Sequence, residues 1–285
     1  MSVGQILSDM FGTVKARFGS LLGLWAIFLG ITIGMFMIVG VGMAGVGIAG
    51  MAALGDSDPF AAGASFVVFL ILFYIAYLLV AMAQYGSLIS MASPLDRPTV
   101  SAAFNAGWRA APAMLLLIIV LLIGYFAVAL VFSAAGAALS FAGDTAAGLL
   151  VLALVPVMIW LGCRLAPLLA VMTVDRVRNP FTAIARSWRL TRGHALTIFL
   201  AALVFMVILI VLCGALLLPS FGLLSSLGDT TGDAGVAPAL GAMLLFFASM
   251  LLLSLLFNLL YCAFMAVVHG SLTEAAGEGL AENFA

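Results

Sequence analysis

The sequence predicts an all-α, polytopic membrane protein with six transmembrane helices, and three observations predict it. Hydrophobic residues fill 66% of the 285 positions and charged residues only 7%, against roughly 25% charged in soluble domains. Six apolar stretches, Leu21 to Leu54, Phe60 to Ala92, Met114 to Phe141, Ala146 to Val174, Ala195 to Leu218 and Ala239 to Val268, each exceed the about 20 residues an α-helix needs to cross the hydrocarbon core. The charges between them alternate in sign from one connection to the next, as they do on opposite sides of a membrane. Membrane β-strands are excluded, since they would run about ten residues with dyad alternation.

Taken in order, the chain opens on Val3, Ile6, Leu7, Met10, Phe11 and Val14, an apolar stripe at helical spacing with Ser8, Asp9, Thr13 and Lys15 off it. This predicts an amphipathic helix on the membrane surface that leads into the first span. No cleavable signal peptide is expected, because the apolar run that follows is too long for an h-region of about 7–15 residues. The outer half of the first span carries Gly40, Gly42, Gly45, Gly47 and Gly50, which is either a surface for close helix approach or a loosened helix end. The second span ends at Ser93-Pro94, where proline stops a helix. Val100, Phe104, Gly107 and Trp108 then oppose Ser101, Asn105 and Arg109, predicting a second surface helix before the third span. The third and fourth spans form a hairpin around Asp144.

Asp175 to His194, DRVRNPFTAIARSWRLTRGH, is the one strongly charged segment and holds five of the ten Lys and Arg residues. Read as a helix from Phe181, it sets Phe181, Ile184, Ala185 and Trp188 on one face and turns Arg186 and Arg189 away. This is the third predicted surface helix, its indole in the lipid boundary and its cations among headgroups. Trp108, Arg109, Arg186, Trp188, Arg189 and Arg192 are the candidate membrane-surface residues. A Gly-, Ser- and Thr-rich loop, Pro219 to Pro238, follows the fifth span, and the tail from Ser271 carries Glu274, Glu278 and Glu282 spaced four apart.

The first, third and fifth connections hold Asp56 and Asp58, Asp144, and Asp229 and Asp233, with no Lys or Arg. The N-terminal segment and the other two connections hold Lys15 and Arg17, Arg97 and Arg109, and the arginines at 176, 178, 186, 189 and 192. The positive-inside rule then puts both termini in the cytoplasm. Nine arginines to one lysine, with abundant Ala and Gly, suit a bacterium with a GC-rich genome, so a bacterial inner membrane is the expected location. A net charge of −1 hides the charge separation. Membrane lipids, another membrane protein or a second copy of the chain are the expected partners, and nucleic acid is not.

Superposing Trp108-Arg109 on Trp188-Arg189 takes a shift of 80 residues, and the same shift brings Gln84 onto Arg164. The chain therefore reads as a single membrane domain made of three copies of one unit, surface helix, outward span and returning span. The copies are 1–93, 94–175 and 176–270, with 271–285 as an acidic cytoplasmic tail.

Arg164, Ala166-Pro167, Asp175, Pro180, Ala183 and the string Arg186-Ser187-Trp188-Arg189-Leu190-Thr191-Arg192-Gly193 carry a family pattern. The segment resembles the membrane domain attached to some bacterial glycerophosphodiester phosphodiesterases, and is similar to the YciC-type six-span inner-membrane families. The resemblance is close from Arg164 to Gly193 and loose over the six-span layout. It implies a membrane domain without the catalytic part: the soluble phosphodiesterase barrel, with its metal-binding carboxylates and histidines, is missing, and phosphodiesterase activity is not expected.

Arg164 is the most informative single residue. An arginine at the bilayer centre costs about 2.5–3.5 kcal/mol on insertion scales, so it normally has a role or a route to water. Gln84 and Asn258 lie at similar depth in the other two returning spans. Two readings stand. Arg164, Gln84 and Asn258 form a polar centre for an anionic headgroup or solute, opening to the cytoplasm, or Arg164 sits near the inner boundary and snorkels to phosphates. Cys163, Cys213 and Cys262 lack paired spacing and read as buried free thiols. His194, His269, Cys262 and Glu274 lack a close ligand pair, so no metal is expected and the histidines read as polar caps of cytoplasmic helix ends. There is no phosphate loop, nucleophile elbow or intramembrane acid, so neither catalytic residues nor a cofactor are expected. The function this suggests is non-catalytic: binding or organising lipid or a small amphiphile, or serving as a membrane partner subunit. The alternatives are a transporter or channel with a pathway past Arg164, and, least favoured, a membrane enzyme acting on lipid.

Overall fold

The computed structural model describes residues 2–53, 59–95, 98–140, 144–228 and 236–284, with side-chain surroundings for 2–43, 66–95, 98–137, 152, 155–222 and 240–277. Among the described residues the regular structure is all helical: α1 (Val3–Ala53), α2 (Pro59–Ala92), α3 (Val100–Ser140), α4 (Asp144–Leu165), α5 (Leu168–Thr173), α6 (Pro180–Leu190), α7 (Ala195–Gly228) and α8 (Val236–Phe284). Six stretches among the described residues are long and apolar enough to cross a membrane: Val3–Met43, Phe66–Ala92, Val100–Ala137, Val155–Thr173, Ala195–Gly222 and Leu240–Gly277. Arg97 and the acidic residues Asp56, Asp58, Asp229 and Asp233 lie outside the described residues.

The three predicted surface segments are built differently. In α1 the backbone leaves helical geometry at Arg17 (φ −119°, ψ 17°), which separates the N-terminal stripe from the span. That stripe is turned onto the protein: Ile6 and Met10 are fully buried, Val3, Leu7 and Val14 pack against the core, and only Phe11 stays outside. In α3 the surface segment and the span are one helix of 41 residues containing Pro112, roughly 60 Å at 1.5 Å per residue and about twice the hydrocarbon thickness. Only α6 is a separate helix, divided from α7 by a turn.

The core sits at the end of the molecule that carries the arginines. Phe28 of α1, Leu88 and Ile89 of α2, Met114 and Leu117 of α3, Met172 of α5, Ile198 of α7 and Leu259 of α8 are all buried there. Away from it the helices present apolar side chains outward, with Ile38, Val41, Leu130 and Val131 each at least 66% exposed.

Among the described residues, a close helix approach is made at the single glycines Gly107 and Gly86. A Cβ on Gly107 of α3 would stand 2.3 Å from the Ala83 carbonyl oxygen and 2.6 Å from the Ser87 nitrogen of α2. A Cβ on Gly86 would stand 3.1 Å from both Gly107 Cα and Thr173 Cγ2, so α2 and α3 meet nearly backbone to backbone and the Thr173 methyl of α5 packs against the crossing. The close approach considered for the first span is not seen at Gly40, where a Cβ would meet nothing within 4 Å, nor at Gly42, which has only the edge of Phe69 at 3.8 Å. No helix backbone faces them closely enough for a missing side chain to matter. Gly45, Gly47 and Gly50 lie outside the residues whose packing is described.

Candidate functional site

The site is assembled around α6. Asn179 caps its start by accepting a hydrogen bond from the Phe181 nitrogen (3.0 Å), with Pro180 in the first turn, where the ring fits and no donor is lost. Pro180, Ala183 and Ser187, spaced three and four apart, form the buried face. Small residues let α6 lie flat on the bundle, and this leaves Phe181 68% and Trp188 37% exposed. Of the predicted apolar face, Phe181, Ala185 and Trp188 are exposed, while Ile184 is half-buried and packs against the core.

Arg164, in the last turn of α4, lies against α6. Its guanidinium carbon is 5.3 Å from the ring centre of Trp160, one turn earlier, and 5.3 Å from that of Trp188. The two indoles meet edge to face at 5.1 Å. Nη1 donates to the Trp188 carbonyl at 3.3 Å, while Nε is buried with no partner among the described residues. Cation–π contacts of this kind contribute about 0.5–2 kcal/mol each, depending on desolvation, and offset part of the cost of an arginine in a span. Beside it the helix breaks. Pro167 has no N–H, and the chain resumes as α5 with the Val171 nitrogen bonded to the Pro167 carbonyl at 2.9 Å. Ser187 Oγ donates to the Arg164 carbonyl at 2.8 Å.

The three-residue polar centre is divided by this arrangement. Gln84 and Asn258 share a cavity of about 310 Å³ between α1, α2 and α8, together with Thr32, Tyr77 and Ser254. Arg164 does not line it, because the two tryptophans hold its side chain on the α6 side of α4. Asn258 Nδ2 donates to the Ser254 carbonyl at 2.8 Å, one turn back on its own helix.

A second polar group was not expected from the sequence. Asp175 Oδ2, just after α5, accepts from Arg186 Nε at 2.7 Å and from His269 Nε2 at 3.1 Å. Burial by itself pushes the Asp175 carboxyl up, but the hydrogen bond and charge of His269, with those of Arg186, outweigh it and hold the group below the usual carboxylate value. His269 is fully buried, with Nδ1 unpartnered among the described residues. It is therefore an internal tie between α8 and the α5–α6 connection rather than a cap at the surface. His194 stays half-exposed, its Nδ1 3.3 Å from the Arg192 carbonyl. Among the described residues no three His, Cys, Asp or Glu side chains cluster as a metal site would need. Cys163 and Cys262 are buried free thiols, whereas Cys213 is only half-buried.

The remaining surface candidates separate by environment. Trp108 packs on Phe28 and Phe104, with ring centres 6.4 and 6.1 Å away. Arg189 and Arg192 are exposed, and Arg186 is committed to Asp175. An apolar groove of about 550 Å³ opens between α2, α3, α4, α5 and α8. Its walls include Leu117, Leu121, Leu165, Phe257 and the edge-to-face pair Tyr85 and Tyr261, ring centres 6.0 Å apart, and no charged residue lines it.

Six apolar, outward-facing helices joined through a polar, arginine-rich end define a multi-pass helical membrane protein. Residues 140–278, just under half of the chain, match the family model of the membrane domain of glycerophosphoryl diester phosphodiesterase. The resemblance read between Arg164 and Gly193 is thus supported and extends over α4 to α8, including Asp175, Arg186 and His269. What is matched is the membrane portion of that enzyme, not its catalytic portion. No curated protein and no solved structure matches the chain significantly.

Proposed function

We propose that this is a non-catalytic protein of a bacterial inner membrane, with both termini cytoplasmic, that binds or organises lipid through the groove between α2, α3, α4, α5 and α8. The observation that carries the reading is the groove itself: about 550 Å³ bounded by Leu, Ile, Phe, Tyr, Met, Ala and Gly residues without a charge, within the roughly 300–1,000 Å³ usual for small-molecule sites. In a protein surrounded by lipid, an acyl chain is the molecule available to fill it. The exposed Phe181 and Trp188, with Arg189 and Arg192 beside them, support an interfacial position for α6. The 80-residue shift that brings Trp108-Arg109 onto Trp188-Arg189 and Gln84 onto Arg164 supports a threefold repeat of 1–93, 94–175 and 176–270.

The polar cavity at Gln84 and Asn258 favours a second reading, passage of a small solute. With Arg164 pinned between two indoles, such a pathway would run past Gln84, Tyr77 and Asn258 instead.

Native mass spectrometry of the gently extracted protein tests the first reading. A stoichiometric lipid is expected on the parent and absent from Leu121→Trp, whose indole would occupy the groove. Equal lipid on both proteins would sink the groove as the binding place, and no lipid on either would move the reading to solute passage.

A further inference from the structure

A cavity separate from the groove lies where α3, α5 and the connection after α5 meet. It has a volume of about 410 Å³, and its lining includes Arg109, Arg176, Arg178, Asn105, Met172 and Thr173. Three guanidinium-bearing residues from two different parts of the chain thus converge on one space. None of the three has a hydrogen-bond or ion-pair partner among the described residues. The adjacent acid, Asp175, makes its ion pairs with Arg186 and His269 and with none of these three. Arg176 is also held in the left-handed backbone region at φ 57°, which is uncommon for a residue with a side chain. The surrounding fold therefore maintains a conformation that sets a cation at this rim.

We propose that this cavity binds a phosphate-bearing anion. Three like charges lining one space repel one another, and an anion that enters among them is attracted to each and offsets that repulsion. The planar fork of arginine matches phosphate oxygens in pairs, and the Asn105 amide can add a neutral donor. The cationic surface of a membrane protein's inner face does not by itself explain the grouping. Arg189 and Arg192 belong to the same basic segment, yet they do not line the cavity. The residues lining it and those lining the apolar groove do not overlap, so the two sites stand or fall separately. The shared chemistry is a phosphate group, carried either by a lipid headgroup at the inner boundary or by a free phosphate in the cytoplasm.

The test is titration of the full chain in uncharged detergent with two probes, inorganic phosphate and dioctanoyl phosphatidylglycerol. Binding is read by calorimetry at fixed ionic strength for the parent, Arg109→Gln, Arg178→Gln and Arg189→Gln. At least one probe is expected to saturate the parent. Arg109→Gln and Arg178→Gln should each weaken that binding tenfold or more, while Arg189→Gln changes it less than twofold. Saturation by inorganic phosphate assigns the site to a free phosphate, and saturation by the lipid alone assigns it to a headgroup. Arg178→Gln decides the matter should Arg109→Gln, on the packed helix α3, fail to fold. No saturation by either probe overturns the proposal, and so does an equal loss in Arg189→Gln, which would make the binding a general effect of surface charge.

Discussion

Replacing Gly107 by alanine puts a methyl group where three atoms already stand: Ser87 Oγ at 2.1 Å, the Ala83 carbonyl oxygen at 2.3 Å and the Ser87 nitrogen at 2.6 Å. The serine hydroxyl can rotate away, but the other two are main-chain atoms of α2. Since non-bonded heavy atoms settle at about 3.5 Å, α2 and α3 must separate by roughly 1 Å at the crossing. Overpacking of this kind costs about 1–3 kcal/mol. The separation also strains the hydrogen bond from Ser87 Oγ to the Phe104 carbonyl, 3.4 Å in the parent, for about 1 kcal/mol more. Against this, alanine gains about 0.5–1 kcal/mol over glycine in a helix interior. The net is a destabilisation of roughly 2 kcal/mol, or about 4–8 °C in melting temperature by the scaling for large domains. The assay is the temperature at which the detergent-solubilised protein loses its monodisperse elution peak. Gly124→Ala is the control, because a Cβ there meets nothing within 4 Å, and its melting temperature should hold or rise slightly. A Gly107→Ala protein that melts with the parent, or a Gly124→Ala protein that falls as far, would refute the reasoning.

Asp175→Asn tests the tie among α5, α6 and α8. A carboxyl held below its ordinary value in the fold contributes stability that is present above the unfolded value, about 3.9, and is lost as pH falls through the folded one. The variant should therefore be less stable than the parent by about 1–3 kcal/mol at neutral pH, with the gap closing below about pH 4; a gap of equal size at pH 3 and pH 7 would contradict this. Ser187→Ala removes the donor to the Arg164 carbonyl, and leaving such a group unpaired costs about 1–3 kcal/mol. Amide hydrogen exchange along α6 should accelerate in that variant, and unchanged protection would mean the bond is not holding the helix.

The six spans were legible because a long apolar run is a property of the sequence taken one stretch at a time. The amphipathic stripes were legible as helices, but periodicity does not say whether an apolar face meets lipid or protein. Ile6 and Met10 were part of a stripe assigned to the membrane surface, yet they are buried in the protein, whereas Phe181 and Trp188 remain outside. Arg164 announced itself by its rarity in an apolar span. Its partners were sought by depth at Gln84 and Asn258, while one real neighbour, Trp160, lay four residues away on the same helix. The bond between Asp175 and His269 joins residues 94 apart, a distance at which no local spacing gives a signal. The available hint was compositional, since Asp175 is the single acid beside the five arginines of the segment from Asp175 to His194. Of the clustered glycines, Gly40 and Gly42 have no helix backbone close by, whereas Gly86 and Gly107 stand at a helix crossing, because whether a missing side chain matters depends on what the fold brings opposite it.

The break at Pro167 bears on how the protein is made. The fourth span enters the membrane as an incomplete hydrogen-bonding unit, with the Arg164 carbonyl left to a serine 23 residues further along the chain. Until that serine has been synthesised and α6 has settled, the Arg164 carbonyl lacks the partner it has in the finished fold, and leaving such a group unpaired costs about 1–3 kcal/mol. Insertion of the fourth span is thus finished by a segment made after it, and the docking of α6 becomes a step in the order of assembly.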